Sequence, residues 1–153
     1  MGSTRLVGIL TLDAGVIVDQ NISTAAAIDA DKMQHVYRAM TNFDLALAAT
    51  PVARIEIVHI AGLAGTIRGF HAMCVDTGTA ASVTFDLKKN GTTVLSAVIT
   101  ITNATTDAQV QDGTISVPTF VADDYFTIHL AVSSSTGMTG AFAYADFEEN
   151  GAP

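Results

Sequence analysis

The residues of this sequence that could do metal or nucleophile chemistry are four histidines and one cysteine. The histidines are His35, His59, His71 and His129, and none of them shows the spacing of a common metal-binding motif. Cys74 follows His71 by three positions, a pairing that could suggest a Cys–His nucleophile. Residues three apart on an extended strand point to opposite faces, so we predict no such pair. Although strands can bring distant residues together, we interpret the histidines as hydrogen-bonded or interface residues.

Paired carboxylates are the other groups that could do chemistry, and they occur at Asp29/Asp31, Asp123/Asp124 and Glu148/Glu149. Glycoside hydrolysis needs two carboxyl groups that converge across a cleft, and no EF-hand calcium loop is present. We predict that Asp123 and Asp124 form a turn and that Glu148 and Glu149 are exposed to solvent at the end of the domain. The sequence also lacks a G-x-S-x-G motif, a P-loop and a dinucleotide fingerprint. We therefore expect no enzyme activity, no cofactor and no metal.

Charge and composition restrict the partners and the compartment. Of the 153 residues only 14% are charged, and the formal net charge is −8. Because phosphate groups and anionic lipids bind basic faces, we expect neither nucleic acid nor a membrane as a partner. No apolar run is long enough to span a membrane and the first residues do not resemble a signal peptide, so we expect synthesis and assembly in a cytosol-like compartment. The low charge suggests that part of the surface contacts protein; the alternative is a monomer with a Thr/Ser-rich exterior.

The elements that must position these residues are predicted to be short antiparallel strands. From residue 51 to residue 148 the chain reads as strand after strand at the spacing typical of a β-sandwich. The predicted strands cover residues 53–60, 66–75, 83–88, 93–101, 114–117, 125–132 and 141–147. The first alternates and then becomes apolar on both sides, whereas Val83, Phe85 and Leu87 of the third alternate cleanly with polar residues. Residues 149–153 are predicted to be a flexible tail.

An Asn-Gly pair gives the clearest local prediction. Asn90 and Gly91 lie between two alternating runs, and both residues tolerate the positive φ that a type I′ turn requires. We therefore predict a β-hairpin at this position.

Residues 1–50 read differently from the rest of the chain. Ser23 or Thr24 could cap a short helix, and the segment contains too few large apolar residues for a core of its own. We predict an N-terminal arm that carries this helix. In an alternative interpretation, residues 6–12 form the first strand of the sandwich.

Three stretches of the sequence resemble small β-sandwich virion proteins of tailed bacteriophages. They are the hairpin GTAASVTFDLKKNGTTVLSA at residues 78–97, the strand DGTIS at residues 112–116 and the strand ADDYFTI at residues 122–128. Residues 21–35 also resemble the segment that precedes such domains. Asp123 stands where the family pattern has glycine. The resemblance implies an all-β, jelly-roll-like antiparallel sandwich, commonly a homotrimer, that decorates a capsid or belongs to a fibre.

Two functions follow from this resemblance. The first is a capsid decoration (cement) protein, made in the host bacterial cytoplasm and placed on the capsid surface of the virion. It would trimerise, bind the major capsid protein and stabilise the shell. Its arm would contact the partner through Ile22, Ile28, Met33 and Tyr37. The second is a receptor- or glycan-binding module of a tail or head fibre, with recognition in the loops at residues 62–65 and 133–139. The absence of Trp and the 7% aromatic content favour the first, since sugar-binding sites usually present aromatic faces.

Overall fold

In a computed structural model, which describes residues 35–46 and 52–150, the chain folds into two antiparallel β-sheets packed face to face. The strands are β1 (His35–Ala46), β2 (Val52–Ile60), β3 (Gly65–Met73), β4 (Ser82–Lys89), β5 (Thr92–Thr93), β6 (Ile99–Thr102), β7 (Gln111–Gly113), β8 (Thr119–Phe120), β9 (Tyr125–Ser134) and β10 (Thr139–Glu149). These two ranges contain no helix. The predicted all-β, jelly-roll-like sandwich is confirmed.

Within the described residues, each sheet has five strands. Sheet A has the order β1-β10-β3-β7, with β8 also paired to β3, and sheet B has the order β2-β9-β4-β5, with β6 also paired to β4. Every strand pair is antiparallel. No helix long and apolar enough to cross a membrane occurs in the described part of the chain.

Side-chain alternation builds the core between the sheets. In β4 the side chains of Val83, Phe85 and Leu87 are fully buried, as their alternation with polar residues predicted. The largest buried side chains are aromatic: Phe43, Phe70, Phe85, Phe126 and Phe147. On β10, Ala141, Ala143 and Ala145 face inward and are also fully buried, and Ala141 and Ala145 lie beside Phe43 and Phe70 of the neighbouring strands. Small residues on one sheet thus leave room for large rings from neighbouring strands.

The hairpin predicted at Asn90-Gly91 is confirmed. Lys88 lies opposite Thr93 and Lys89 opposite Thr92. The two turn residues have φ values of 50° and 82°, and both are therefore in the left-handed region that a type I′ turn needs.

Two predicted strands are interrupted in the structure. The predicted strand at 93–101 splits into β5 and β6, which pair with the two ends of β4 along the same edge. The predicted strand at 114–117 is not a ladder strand; it makes a single bridge, from Ile115 to Leu95, between β7 and β8. In both places the chain leaves its own sheet to contact the other sheet, a long-range pairing that local alternation does not reveal.

The two ends of the predicted domain lie at different residues in the structure. Residues 35–46, predicted as part of the arm, form β1 and pair with β10 along its length. Glu148 and Glu149, predicted to end in solvent, belong to β10, where Glu148 is buried and ion-paired with Arg68. That prediction was wrong, because the polar residues there hold inter-strand and inter-sheet contacts. The predicted helix, the strand at 6–12, the Asp29/Asp31 pair and residues 151–153 lie outside the described residues.

Candidate interaction surface

The two lateral sides of the sandwich differ in how the sheets are joined. On one side, backbone hydrogen bonds join the segment between β5 and β6 of sheet B to the segment between β7 and β8 of sheet A. The N–H of Ser96 donates to the carbonyl of Thr114 at 2.9 Å, and the N–H of Ser116 donates to the carbonyl of Val94 at 2.8 Å. We call this side the closed flank, since backbone bonds protect the sheet edges there.

The opposite side, which we call the open flank, ends in the two edge strands β1 and β2. These strands are 12 and 9 residues long, and within the described residues β1 pairs only with β10 and β2 only with β9. Side chains rather than backbone groups connect the sheets here; the hydroxyl of Thr41 on β1, for example, donates to the carboxylate of Glu56 on β2. Long edge strands of this kind can pair with another chain.

Five of the eleven large apolar side chains that are exposed among the described residues lie on the open flank. Val36 and Met40 point outward from sheet A and are 66% and 58% exposed. Ile55, Ile57 and Ile60 point outward from sheet B and are 61%, 68% and 62% exposed. We call these three isoleucines the apolar stripe. A group of large, exposed apolar side chains is typical of an interaction surface, whereas single ones are common on any protein.

A β-bulge in β2 adds Ile60 to the apolar stripe. Strict alternation would place Ile57 and His59 on one face and Ile60 on the other. The register of β2 against β9 shifts between Ile57 and His59, so that Val58 is the additional residue. As a result, His59 lies opposite the buried Phe126 and faces inward, and Ile60 faces outward. The sequence signal for this bulge is the change from alternation to an apolar run on both faces.

The inward turn of His59 brings together a polar cluster between the two sheets, formed by Tyr37, His59 and Glu149. The hydroxyl of Tyr37 donates to Oε1 of Glu149 at 3.0 Å and is also hydrogen-bonded to Nε2 of His59. The same carboxylate oxygen accepts the backbone N–H of Gly62 at 2.9 Å and lies 3.2 Å from Nε2 of His59. One carboxylate thus collects donors from three parts of the chain and ties β1, β2 and β10 together.

Burial and hydrogen bonding act in opposite directions on the groups of this cluster. Burial alone would raise the pKa of Glu149, but the bonds from Gly62, Tyr37 and His59 outweigh it and hold the pKa below its ordinary value. Burial, followed by the bond to Glu149, raises the pKa of Tyr37 far above its ordinary value. The ring of His59 packs 5.0 Å from that of Phe147. With its hydroxyl, imidazole and carboxylate engaged with one another, this cluster fastens the two sheets together at the open flank.

A second group of polar side chains covers the outer face of sheet A. Arg38 donates to both carboxylate oxygens of Asp146, at 2.7 and 2.9 Å, and its guanidinium lies 4.0 Å from the centre of the Tyr144 ring. His71 stacks on the same ring at 4.6 Å and binds Asp112 at 2.6 Å. The protein's own side chains therefore pack against the Tyr144 ring from two neighbouring strands.

The structure separates the residues that the sequence singled out for metal or nucleophile chemistry. His35 is in β1, His59 lies between the sheets, and His71 and His129 lie on the outer faces of different sheets. No group of three His, Cys, Asp or Glu side chains able to hold a metal ion occurs among the described residues. Cys74 is buried, and burial raises its pKa to about 11, so the thiol is not activated. The prediction that His71 and Cys74 do not share a face is confirmed.

The turn predicted at Asp123-Asp124 is confirmed. Asp123 has a φ of 69°, which lies in the left-handed region that favours glycine. Oδ2 of Asp124 accepts the N–H of Val121 at 2.9 Å, and Oδ1 accepts Nδ2 of Asn90 at 2.6 Å. The bond from Val121 is the main reason that the pKa of Asp124 is lowered. This turn and the Asn-Gly hairpin are thus fastened to each other.

The two loops proposed for recognition lie at opposite ends of the sandwich. Residues 62–65 follow β2, whose last residue pairs with Tyr125 at the start of β9. Residues 133–139 connect the far end of β9 to β10. The two loops therefore do not form one continuous surface at a single end of the sandwich.

Of the four predicted partner contacts, only Tyr37 lies within the described residues. Its ring stacks on Phe147 at 5.7 Å, and its hydroxyl belongs to the inter-sheet cluster. Tyr37 thus has an internal structural role, and its contact with a partner stays a prediction. Ile22, Ile28 and Met33 lie outside the described residues. Sequence reasoning did not single out the exposed residues of β1 and β2, since exposure of an edge strand depends on its neighbours in the sheet.

Comparison with known proteins gives distant structural likenesses only. No protein-family model and no curated protein matches the chain. Among solved structures, it is similar to VP2 of infectious bursal disease virus in T=1 particles, with 12% identity and a TM-score of 0.40, and to the VP2 subviral particle of that virus, with 12% identity and a TM-score of 0.36. It is also similar to the Gx strain structure, with 13% identity and a TM-score of 0.37. In each case 95% of this chain is covered, but it spans only 36%, 43% and 42% of those chains.

Proposed function

We propose that this chain is a capsid decoration (cement) protein of a tailed bacteriophage, which assembles as a homotrimer on the capsid surface and stabilises the shell by binding the major capsid protein. The observation that carries the proposal is the open flank, where five large apolar side chains are exposed on two long edge strands. The sequence resemblance of residues 78–97, 112–116 and 122–128 to small virion proteins supports it.

The proposed mechanism is burial of apolar surface, repeated over many copies. Covering a large aliphatic side chain contributes roughly 1.5–3 kcal/mol when its burial is complete. Val36, Met40 and Ile60 are among the side chains exposed for such a contact. Because each site on a symmetric shell is repeated, a modest contribution per copy becomes a large total for the particle.

The arm would add further contacts in this proposal. With β1 assigned to the sandwich, the candidate arm is shortened to residues 1–34, which contain Ile22, Ile28 and Met33. Such a segment would order on docking, and part of its interaction energy would offset the loss of chain entropy.

Binding of the purified full-length protein to shells that lack it tests the proposal. Val36→Asp and Ile60→Asp should each weaken binding at least tenfold, because each places a charge on the open flank. Val98→Asp is the matched control: Val98 is 44% exposed but follows β5 on the closed flank, and its substitution should leave binding unchanged. Ile22→Asp and Ile28→Asp test the arm separately. Equal binding by all variants and the wild type would contradict the proposal, and binding to host-cell glycans without shell binding would favour the fibre alternative.

A further inference from the structure

We infer that β2 is a self-pairing edge: two copies of this chain join their β2 strands antiparallel across a two-fold axis that passes midway between the two Ile55 residues. The partner is a second copy of the chain, and sheet B becomes continuous across the pair. The inference goes beyond the proposed function, because the contact needs no shell. It is also separate from the proposed threefold association, so that in a trimeric protein it would join two trimers.

The backbone of β2 provides the first part of the argument. One edge of β2 pairs with β9, and no other strand of the described residues covers its second edge. Residues 53–57 form a regular ladder before the bulge and are all exposed. On the closed flank, by contrast, inter-sheet backbone bonds interrupt the edges. An uninterrupted and exposed edge presents N–H and C=O groups to a strand of another molecule.

The side chains of β2 provide the second, independent part. Directly opposite residues of an antiparallel pair point to the same face. With the axis on Ile55, Arg54 of each copy lies opposite Glu56 of the other, and Ala53 lies opposite Ile57. Opposite charges placed directly across a strand pair are stabilising. The sequence around Ile55 is therefore complementary to itself, which a two-fold contact requires.

Neighbouring registers are less favourable. A two-fold axis on Arg54 or on Glu56 would place a charge opposite the same charge of the second copy, which destabilises a strand pair. An axis on Ala53 or on Ile57 would leave neither charge opposite its counterpart. The axis on Ile55 is the register of this segment that joins both charge pairs.

Oxidative cross-linking of cysteine variants of the full-length protein tests this register. Opposite Cα atoms in an antiparallel pair are about 4.5–5.5 Å apart, within the range of about 4.4–6.8 Å that a disulfide spans. Ile55→Cys should therefore give a covalent dimer. Ile60→Cys is the matched control, since Ile60 is equally exposed at 62% but would lie roughly 30 Å from its counterpart. The natural Cys74 is 1% exposed and should not react.

Charge reversal tests the same register without a covalent bond. Arg54→Glu and Glu56→Arg should each weaken self-association at least fivefold in sedimentation equilibrium, and the double variant should restore it. Equal cross-linking of Ile55→Cys and Ile60→Cys, no cross-linking of either, or a monomer at every concentration would overturn the inference. Loss of threefold assembly in the single charge variants would overturn it as well, because β2 would then belong to the threefold interface. Shell binding is measured separately, so failure of the proposed function would leave these results interpretable.

Discussion

Individual residues of this molecule act mainly through contacts that span the two sheets. In the sequence, Tyr37 and His59 are 22 positions apart, His59 and Glu149 are 90 apart, and Tyr37 and Glu149 are 112 apart. Their polar atoms nevertheless meet at one carboxylate oxygen of Glu149. Such a cluster could not be predicted from the sequence, because it depends on a bulge in β2 and on the register of β1 against β10. The turn role of Asp123 and Asp124 could be predicted, since it depends on neighbours in the chain.

Glu149→Gln should make stability less dependent on acid pH. The pKa of Glu149 is lowered in the folded protein relative to its ordinary value of 4.5, so the carboxylate stabilises the fold above that pH and loses this contribution as the pH falls through the folded value. The wild type should therefore be more stable than the variant at pH 7, and the difference should shrink below about pH 4.5. Urea unfolding between pH 3 and pH 7 measures this difference. Tyr37→Phe, which removes one donor, should show a smaller effect in the same direction, and a difference that grows towards low pH would contradict this account.

Phe147→Ala should destabilise the sandwich by about 3–5 kcal/mol, as expected for a fully buried aromatic ring. Phe147 packs 4.7 Å from Phe126 and 6.0 Å from Phe120, and it is completely buried. Phe142→Ala is the control on the same strand, because Phe142 points to the outer face and is only partly buried. Urea unfolding measures the free energy of unfolding of both variants, and Phe147→Ala should lose more of it than Phe142→Ala. Equal losses would contradict the prediction, because they would mean that the outer face of sheet A is packed as tightly as the core.

At the scale of elements, strands could be predicted where side-chain alternation and turn chemistry agree. β4 and the Asn90-Gly91 turn satisfy both conditions, and the structure confirms them. The split of the next strand into β5 and β6 could not be predicted, because Leu95 leaves sheet B to bridge Ile115 of the other sheet. The sequence placed the residues of β1 in an arm. Their place at a sheet edge could not be predicted, because it depends on pairing with β10, which lies about 100 residues further along the chain.

Two glycines allow backbone conformation to be separated from steric contact. Gly91 and Gly78 have φ values of 82° and 68°. A Cβ on Gly91 would meet only the hydroxyl of Tyr125 at 3.9 Å, whereas a Cβ on Gly78 would lie 2.3 Å from the carbonyl oxygen of Thr136. Gly91→Ala should therefore cost about 1–2 kcal/mol from backbone conformation alone. Gly78→Ala should cost clearly more. Thermal unfolding of the two variants measures the costs, and a larger loss at Gly91 would contradict the described loop geometry.

At the scale of the whole molecule, the two flanks of the sandwich are built differently. The closed flank joins the sheets through backbone bonds between residues 94–96 and 114–117. The open flank ends in β1 and β2, with exposed apolar side chains on both strands. The fold class and the sandwich were predictable from the sequence, but this asymmetry was not, because it arises from strand order. It is the feature that both proposals depend on.

The single thiol reports on opening of the whole sandwich. Cys74 is 1% exposed, and burial raises its pKa to about 11, so the native protein should react very slowly with a thiol reagent at pH 8. Its labelling rate should increase with urea in parallel with unfolding measured by circular dichroism. Rapid labelling in the native protein would mean that the β3 end of the core opens locally.

The most direct test of the capsid decoration role is the copy number and position of the chain in purified phage particles. Quantitative mass spectrometry gives the number of copies relative to the major capsid protein, and electron cryomicroscopy gives their place. A capsid decoration protein should have a copy number of the same order as that of the capsid subunits, and its copies should be spread over the outer surface of the shell with their open flanks in contact with protein. A few copies confined to the tail or a fibre, with the open flanks facing solvent, would contradict it.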